Sequence, residues 1–166
     1  MARSNRRNRN PRRRETPSFD ILEDVSIATA DTASNNTVYN PQVGTGTLEA
    51  PGFFHLRGAT WSVNNSSTNT ATRVLCIIRK VPNGYAFPSI TVASGVTAIA
   101  GSDVLAFGLI NTTALATNEV PSQELTIVRP RVRVDTGDTI ACQIVSNVSS
   151  ASQTAFVAIY YGAGAY

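Results

Sequence analysis

From Phe19 onwards, hydrophobic and polar residues follow the pattern typical of β-strands, and no segment shows the 3.6-residue period of an amphipathic helix. Thr, Val, Ile and Ala dominate these segments, and Gly, Pro, Asn and Ser interrupt them about every 8–15 residues. The pattern predicts eight strands, with the longest loops at residues 32–51 and 111–123. The predicted strands are 19–30, 53–63, 72–81, 89–93, 103–110, 124–134, 138–146 and 154–161.

Two segments, ATRVLCIIRKV and TAFVAIYY, are nearly continuous apolar runs, as expected for central strands. Eight antiparallel-type strands in about 145 residues are typical of a sandwich or a jelly roll. An immunoglobulin-type sandwich fits less well, because Trp61 precedes Cys76 and Cys142 instead of lying between them. The predicted fold class is all-β, a single domain of eight strands that form a sandwich or a jelly roll.

Alternation also places arginines on one face of two predicted strands, opposite small apolar residues. These are Arg73 and Arg79 in strand 72–81, and Arg129, Arg131 and Arg133 in strand 124–134. Pro130 cannot donate a hydrogen bond to a β-ladder, which predicts an edge strand or a bulge at this position.

Charge is divided unevenly along the chain. Residues 1–14, MARSNRRNRNPRRR, carry no acid, whereas the remainder has seven basic and eleven acidic residues, a net charge of −4. Residues 1–18 lack apolar periodicity and predict a basic arm that is disordered until it meets an anion, followed by a folded domain at 19–166. The arm has a charge of +7, from Arg3, Arg6, Arg7, Arg9, Arg12, Arg13 and Arg14.

Only 15% of the residues are charged, so the surface of the folded domain is expected to be mostly Ser, Thr, Asn, Gln and Ala. Such a surface is weakly protected against self-association. The composition favours a subunit that buries surface against copies of itself over a neutral, loop-rich monomer. Aromatic residues in or beside turns are candidates for that contact or for the subunit's own core: Tyr39, Phe53, Phe54, Tyr85 and Phe87.

No apolar run approaches the ~20 residues of a membrane span, and the N-terminus lacks the apolar segment of a secretory signal. We therefore expect no membrane insertion and a location in the cytosol or the nucleus. In a reducing compartment, Cys76 and Cys142 are expected to be small core residues and not a disulfide.

Three runs then carry a specific resemblance: IIRKVPNGYAFPSITVA, SDVLAFGLIN and IVRPRVRVDTGDTIACQIVSN. In this order, and behind an arginine-rich N-terminus, they resemble capsid proteins of small circular single-stranded DNA viruses that encode a replication initiator (CRESS-DNA viruses). The similarity covers roughly residues 1–14 and 72–147. Satellite and other small RNA-virus coats share the plan of an arm and a jelly roll, so DNA and RNA both remain open.

The resemblance implies a jelly roll of the viral capsid type that self-assembles into a small icosahedral shell, most simply with T=1 symmetry and sixty copies. It makes strands 72–81 and 124–134 neighbours in one sheet, with 124–134 at its edge. We then expect Arg73, Arg79, Arg129, Arg131 and Arg133 to form one patch facing the packaged strand. Ion pairs to neighbouring subunits, or plain solvation, are the alternatives for these arginines.

The arm has two expected partners. Its guanidinium groups suit sequence-nonspecific contacts to phosphates of a packaged genome, expected to be single-stranded DNA. The cluster RRNRNPRRR is also typical of signals bound by nuclear import receptors, so free subunits are expected in the host nucleus or cytoplasm and assembled ones in the virion.

Enzyme classes find little support. His55 is the only histidine, so no histidine cluster can hold a metal, and GxSxG, GxxxxGK[ST] and GxGxxG motifs are absent. We expect no catalytic residues, no metal site and no cofactor, with His55 a hydrogen-bonded strand or loop residue. Asp135 and Asp138 flank Gly137 and indicate a turn more than a calcium site.

Two other functions stay open. One is a nucleic-acid-binding β-sandwich that does not assemble, although the sequence shows no clustered exposed aromatics for base stacking. The other is a ligand-binding jelly roll, such as a lectin or a trimeric signalling domain, which would leave the arm without a role.

Overall fold

The structure is a computed structural model, and it describes residues 15–27, 29–41, 52–64, 72–94, 101–112, 120–149 and 153–165. All seven arginines of the arm lie outside these ranges. Among the described residues, no helix is long and apolar enough to cross a membrane.

The described residues form ten strands. In chain order they are β1 (Thr16–Ser26), β2 (Ser34–Tyr39), β3 (Gly52–Asn64), β4 (Thr72–Val81), β5 (Val104–Thr112), β6 (Ser122–Glu124), β7 (Thr126–Ile127), β8 (Arg131–Val134), β9 (Thr139–Ser146) and β10 (Thr154–Ala165).

The strands form two antiparallel sheets, and most steps along the chain cross from one sheet to the other. The β1 sheet has the order β1-β10-β3-β6, with β8 also paired to β3, and the β2 sheet has the order β2-β9-β4-β5-β7. The first strand therefore pairs with the last, the second with β9, the third with β8 and the fourth with the fifth. This nested pairing across two sheets is the jelly roll, which confirms the predicted all-β class and jelly roll. The predicted count of eight strands is not confirmed, because the described residues form ten.

The main core lies between the two sheets, where alternate residues of every long strand meet. Its largest fully buried side chains include Trp61, Phe54, Leu56 and Leu105. Strands β4 and β10 are central in their sheets, as predicted from their nearly continuous apolar sequences. Cys76 and Cys142 are buried free thiols with their Sγ atoms 3.5 Å apart, which confirms them as core residues.

A second, smaller core covers the outer face of the β2 sheet, the face that points away from the main core. Leu75 and Ile77 of β4 pack there with Ile90 and Val92 from the segment after β4. This segment, residues 82–94, thus lies across the β2 sheet as a cover. No comparable cover lies over the outer face of the β1 sheet within the described ranges, and several of its large apolar side chains are exposed.

Three strand predictions were wrong. Segment 34–39 was predicted as loop because its residues are mostly polar, but it forms β2, an edge strand with Val38 as its buried residue. Segment 89–93 is no strand: Ile90 and Val92 are buried as part of the cover, and residues 92–94 make one helical turn. Segment 124–134 is broken into parts, since β6 and β8 pair with β3 whereas β7 pairs with β5.

The missed strand also shifted the predicted neighbours. Because 34–39 is a strand, 72–81 is the fourth strand and not the third, and it pairs with β5 and β9. The expectation that it lies beside 124–134 is therefore wrong. The edge position of 124–134 is correct, and Pro130 lies where the chain passes from β7 to β8.

Strand β1 begins at Thr16, three residues before Phe19, where the folded domain was predicted to begin. Pro17 pairs in register with Gly162. A proline is tolerated here because β1 is an edge strand and one side of its ladder has no partner strand to bond.

Candidate nucleic-acid interface

Glu15, which follows directly on Arg14 in the chain, is held on the outer face of the β1 sheet. The Glu15 Oε1 atom lies 3.0 Å from His55 Nδ1 and 3.1 Å from Arg57 Nη2, and it accepts a hydrogen bond of 3.2 Å from Arg57 Nε. Burial opposes ionisation of this carboxyl, but the hydrogen bonds and charges of Arg57 and His55 outweigh it, so the pKa of Glu15 is lowered. His55 is therefore a hydrogen-bonded strand residue, as predicted.

A β-bulge directs Arg57 outward. Leu56 pairs with Tyr161 and Gly58 with Tyr160, which leaves Arg57 as the extra residue of β3. Leu56 and Ala59 both point into the main core, so the two residues between them lie on the outer face. The Arg57 side chain is 48% exposed there even while it binds Glu15.

Strand β8 adds two arginines to the same face. Arg131 pairs in register with His55 and Arg133 with Phe53, whereas Val132 and Val134 pack against the main core. The Arg131 guanidinium carbon lies 4.0 Å from the centre of the Phe53 ring, a cation–π contact that holds the cation over the sheet. Arg133 is exposed and donates through Nε to Asp135 Oδ1 at 2.8 Å.

The predicted arginine patch is divided by the fold. Arg129 is exposed in the link between β7 and β8, close to the two β8 arginines in the chain. Arg73 is exposed at the start of the β2-sheet strand β4, whose other end contacts β8 through a 3.0 Å hydrogen bond from Lys80 Nζ to the Arg133 carbonyl. Lys80 is seven positions beyond Arg73 along the strand, so Arg73 lies about 20 Å from that end.

Arg79 takes the ion-pair alternative, but within its own subunit. It is 6% exposed beneath the cover, forms a salt bridge to Asp103 and donates to Gln143 Oε1 at 3.3 Å. Arg79 does lie on the outer face of its strand, as predicted, but the cover buries that face. The expectation that five arginines form one patch is therefore wrong, because Arg73 and Arg79 belong to the other sheet.

The outer face of the β1 sheet also carries an exposed apolar stripe that the sequence did not reveal. Phe19 and Tyr160 are directly opposite in the β1–β10 ladder, with ring centres 4.4 Å apart. They are 47% and 57% exposed, and Ile21 and Phe156 extend the stripe. The aromatics proposed for subunit contact behave differently: Phe53 and Phe54 are buried, Tyr39 is half-buried, and Tyr85 and Phe87 are exposed.

A groove of about 320 Å³ runs beside Tyr160. The groove connects the aromatic stripe with Arg57, because the side chains of Tyr160 and Arg57 both line it. The lining residues are Arg57, Gly58, Ala59, Thr60, Glu124, Leu125, Ile127 and Tyr160.

One signal in the sequence pointed to the stripe. Segment TAFVAIYY is apolar on both alternating faces, which was interpreted only as burial. Val157 and Ile159 do face the core, but Phe156 and Tyr160 face outward, where no described segment covers them. Their partner Phe19 lies more than a hundred residues away, so only the fold brings the rings together.

The turn at Asp135 and Asp138 is held by protein donors. Asp138 accepts hydrogen bonds from the backbone N–H groups of Asn83 and Asp135 at 3.0 and 2.8 Å, and its Oδ2 lies 2.6 Å from Lys80 Nζ. Burial opposes ionisation, but these donors outweigh it and lower the pKa of Asp138. Within the described ranges no three His, Cys, Asp or Glu side chains are grouped to hold a metal ion.

No family model and no curated protein matches the chain. Among solved structures, it is similar to turnip yellow mosaic virus at 100 K, with 14% identity, a TM-score of 0.45, and coverage of 93% of this chain and 95% of that one. It is also similar to cocksfoot mottle virus, with 8% identity, a TM-score of 0.44, and coverage of 92% and 95%. The jelly roll of this chain is defined by its own strand pairing.

Proposed function

We propose that the chain is a viral capsid protein that self-assembles into a small icosahedral shell and packages a single-stranded genome through its arginine-rich arm. One observation carries the proposal: the arm, with its charge of +7, joins the jelly roll at Glu15, which Arg57 and His55 hold on the outer face of the β1 sheet. A polycation thereby enters on the same face as Arg57, Arg131 and Arg133. That face would line the inside of the shell.

Charge supports the arrangement. A T=1 shell of about sixty copies would place about 400 positive charges inside, enough to neutralise a few hundred phosphates by direct counting. A larger genome would need the β1-sheet arginines and mobile cations as well. A surface poor in charged residues would favour contacts between copies, which closed symmetry requires from matching patches on each subunit.

The chemistry of the genome follows from the resemblance, which favours single-stranded DNA of a circular CRESS-DNA virus. In this proposal the free arm is read by nuclear import receptors before assembly and is buried afterwards. The virion is then the final location, and the protein acts as a structural subunit and not as an enzyme.

A nucleic-acid-binding module that does not assemble is the second candidate. The exposed pair of Phe19 and Tyr160 favours it, because open aromatic rings beside cations are what single-strand binders use. Particle size separates the two candidates.

The test is to express the full chain and a variant lacking residues 2–14, and to measure particle mass, nuclease-protected nucleic acid and unfolding. We expect megadalton particles with protected nucleic acid from the full chain. The truncated chain should still fold and lose most of its cargo, because each subunit loses seven positive charges. A monomer that binds oligonucleotides would support the second candidate, and a truncated chain that fails to fold would contradict a separable arm.

A further inference from the structure

We propose that the outer face of the β1 sheet is a stacking site for the bases of single-stranded nucleic acid, with Phe19 and Tyr160 as the stacking rings. Arg57 on β3 and Arg131 on β8, which lie on the same side of the two rings, would hold the phosphates. The inference deepens the proposed function, on which it depends for the identity of the cargo. It adds a second mode of contact to the arm: a built site on the rigid domain that binds bases as well as phosphates.

The rings are open in the way that base stacking needs. They come from neighbouring strands at directly opposed positions, so the ladder holds them side by side. On the other side of Tyr160 the opposed residue is Gly58, and a Cβ built there would meet no atom within 4 Å. A base can therefore approach the Tyr160 ring from the groove, and every base offers a π-face whatever its sequence.

The cations lie where the backbone of a stacked strand would run. Arg57 lines the same groove as Tyr160. Arg131 lies opposite His55, and the β10 partner of His55 is Gly162, two residues from Tyr160. Glu124 lies on the far side of the groove and would repel phosphates, which places the strand backbone on the Arg57 side. Glu15, the other carboxylate near Arg57, is already paired with His55 and Arg57.

The position of the arm favours a polyanion over a second copy of the chain as the occupant of this face. Two copies meeting through their aromatic stripes would bring together two arms of +7 charge, both joined to the domain at Glu15 on this face. Like charges brought together across an interface cost binding free energy. A nucleic acid strand is instead attracted by the same arms, and it covers the stripe at the same time.

The experiment is a competition during assembly of the full chain. Equal amounts of an oligothymidine of about 16 nucleotides and an abasic strand of equal length and charge, each with its own fluorophore, are offered to the subunits. The ratio of the two strands is measured in nuclease-treated particles, and also on unassembled subunits. Electrostatic binding alone gives a ratio near one, whereas stacking of even one base is expected to give about a tenfold preference for oligothymidine.

The variant Phe19→Leu/Tyr160→Leu removes both rings and keeps the apolar character of the face. We expect its ratio to fall to about one, while total cargo falls little because the arm is intact. Gly58→Leu covers the Tyr160 ring without removing it and should lower the ratio too, so it decides the question if the double variant does not fold. Tyr85→Leu is the matched control, since Tyr85 is 75% exposed in the cover on the other sheet, and it should retain the wild-type ratio.

The outcomes separate this inference from the proposed function. Filled particles whose ratio is the same in wild type and in the ring variants would overturn the stacking site and leave the capsid proposal standing. Ring variants that stop assembling but keep their base preference on free subunits would identify the face as a contact between copies, which also overturns it. If the wild type forms no particles, the capsid proposal fails, and the ratio on free subunits still decides the stacking site.

Discussion

The two outer faces of this jelly roll start from similar sequences and end in opposite environments. Both faces receive arginines and large apolar residues by alternation along their strands. Arg79 and Ile77 of β4 share the outer face of the β2 sheet, and Arg131 of β8 and Ile21 of β1 share that of the β1 sheet. Residues 82–94 cover the first face, where Ile77 is fully buried and Arg79 is paired inside the subunit. The second face keeps its cations and rings in contact with solvent.

Alternation along a strand assigns a side chain to a face of the sheet, but it does not decide whether that face is exposed to solvent. An outward arginine binds an external anion only if no other segment packs over it. On the β2 sheet the cover supplies Ile90 and Val92 as apolar partners, and Asp103 supplies the counter-charge for Arg79. On the β1 sheet, the described residues give Arg131 the Phe53 ring as a partner, but they supply no covering segment and no counter-charge.

The largest expected difference between the faces comes from truncating the two isoleucines. Ile77→Ala should lower the free energy of unfolding by about 3 kcal/mol, because it leaves a cavity in the second core. Ile21→Ala removes a side chain that is already 39% exposed and should cost about 1 kcal/mol or less. Chemical denaturation of unassembled subunits measures both. Equal losses would mean that the cover does not bury the β2-sheet face in solution.

The two ion pairs give the next contrast. Asp103→Ala leaves the buried Arg79 without its counter-charge and should cost about 2–3 kcal/mol, less than for a fully buried pair because Asp103 is partly exposed. Asp135→Ala breaks the exposed pair with Arg133 and should cost less than about 0.5 kcal/mol. The same denaturation measurement compares them, and a larger loss for Asp135→Ala would contradict the assignment of buried and exposed faces.

A smaller effect should appear in the salt dependence of binding. Arg131→Ala should reduce the slope of log affinity against log salt by about 0.7 for a single strand, as expected for one lost phosphate contact. Arg73→Ala removes an exposed charge from the β2 sheet and should leave the slope unchanged. Titration of an oligonucleotide into unassembled full-length subunits at several salt concentrations gives both slopes. A change for Arg73 and none for Arg131 would move the interface to the other sheet.

The smallest expected effect is on the loss of folding stability at acidic pH. The folded pKa of Glu15 is lowered relative to the unfolded chain, so the unfolded state binds more protons between the two values. The contribution of this group to stability is fully present above the unfolded pKa, and it is lost as the pH falls through the lower folded pKa. Glu15→Gln should therefore make unfolding less sensitive to pH between neutral and strongly acidic solution.

Glu124→Gln is the matched control for this measurement, because it removes an exposed carboxylate from the same face. Denaturation midpoints at a series of pH values test the expectation. A Glu15→Gln variant with the same acid sensitivity as wild type would show that the link from Glu15 to Arg57 and His55 adds no stability.

The sequence by itself determined the all-β class, the central position of β4 and β10, and the burial of the two cysteines. These follow from local pattern, since a run such as VLCII can be satisfied only by burial on both faces. The same logic failed for β2, whose polar residues suit an exposed edge strand, and for Ile90 and Val92, whose burial comes from packing over a sheet.

Only the tertiary structure decided which outward residues meet. The pairing of Phe19 with Tyr160, the link of Glu15 to Arg57, and the separation of Arg79 from Arg131 all join or divide segments far apart in the chain. Alternation fixes the side of a strand, but the strand order across both sheets fixes the neighbours. One unrecognised edge strand was enough to move two arginines to the wrong sheet.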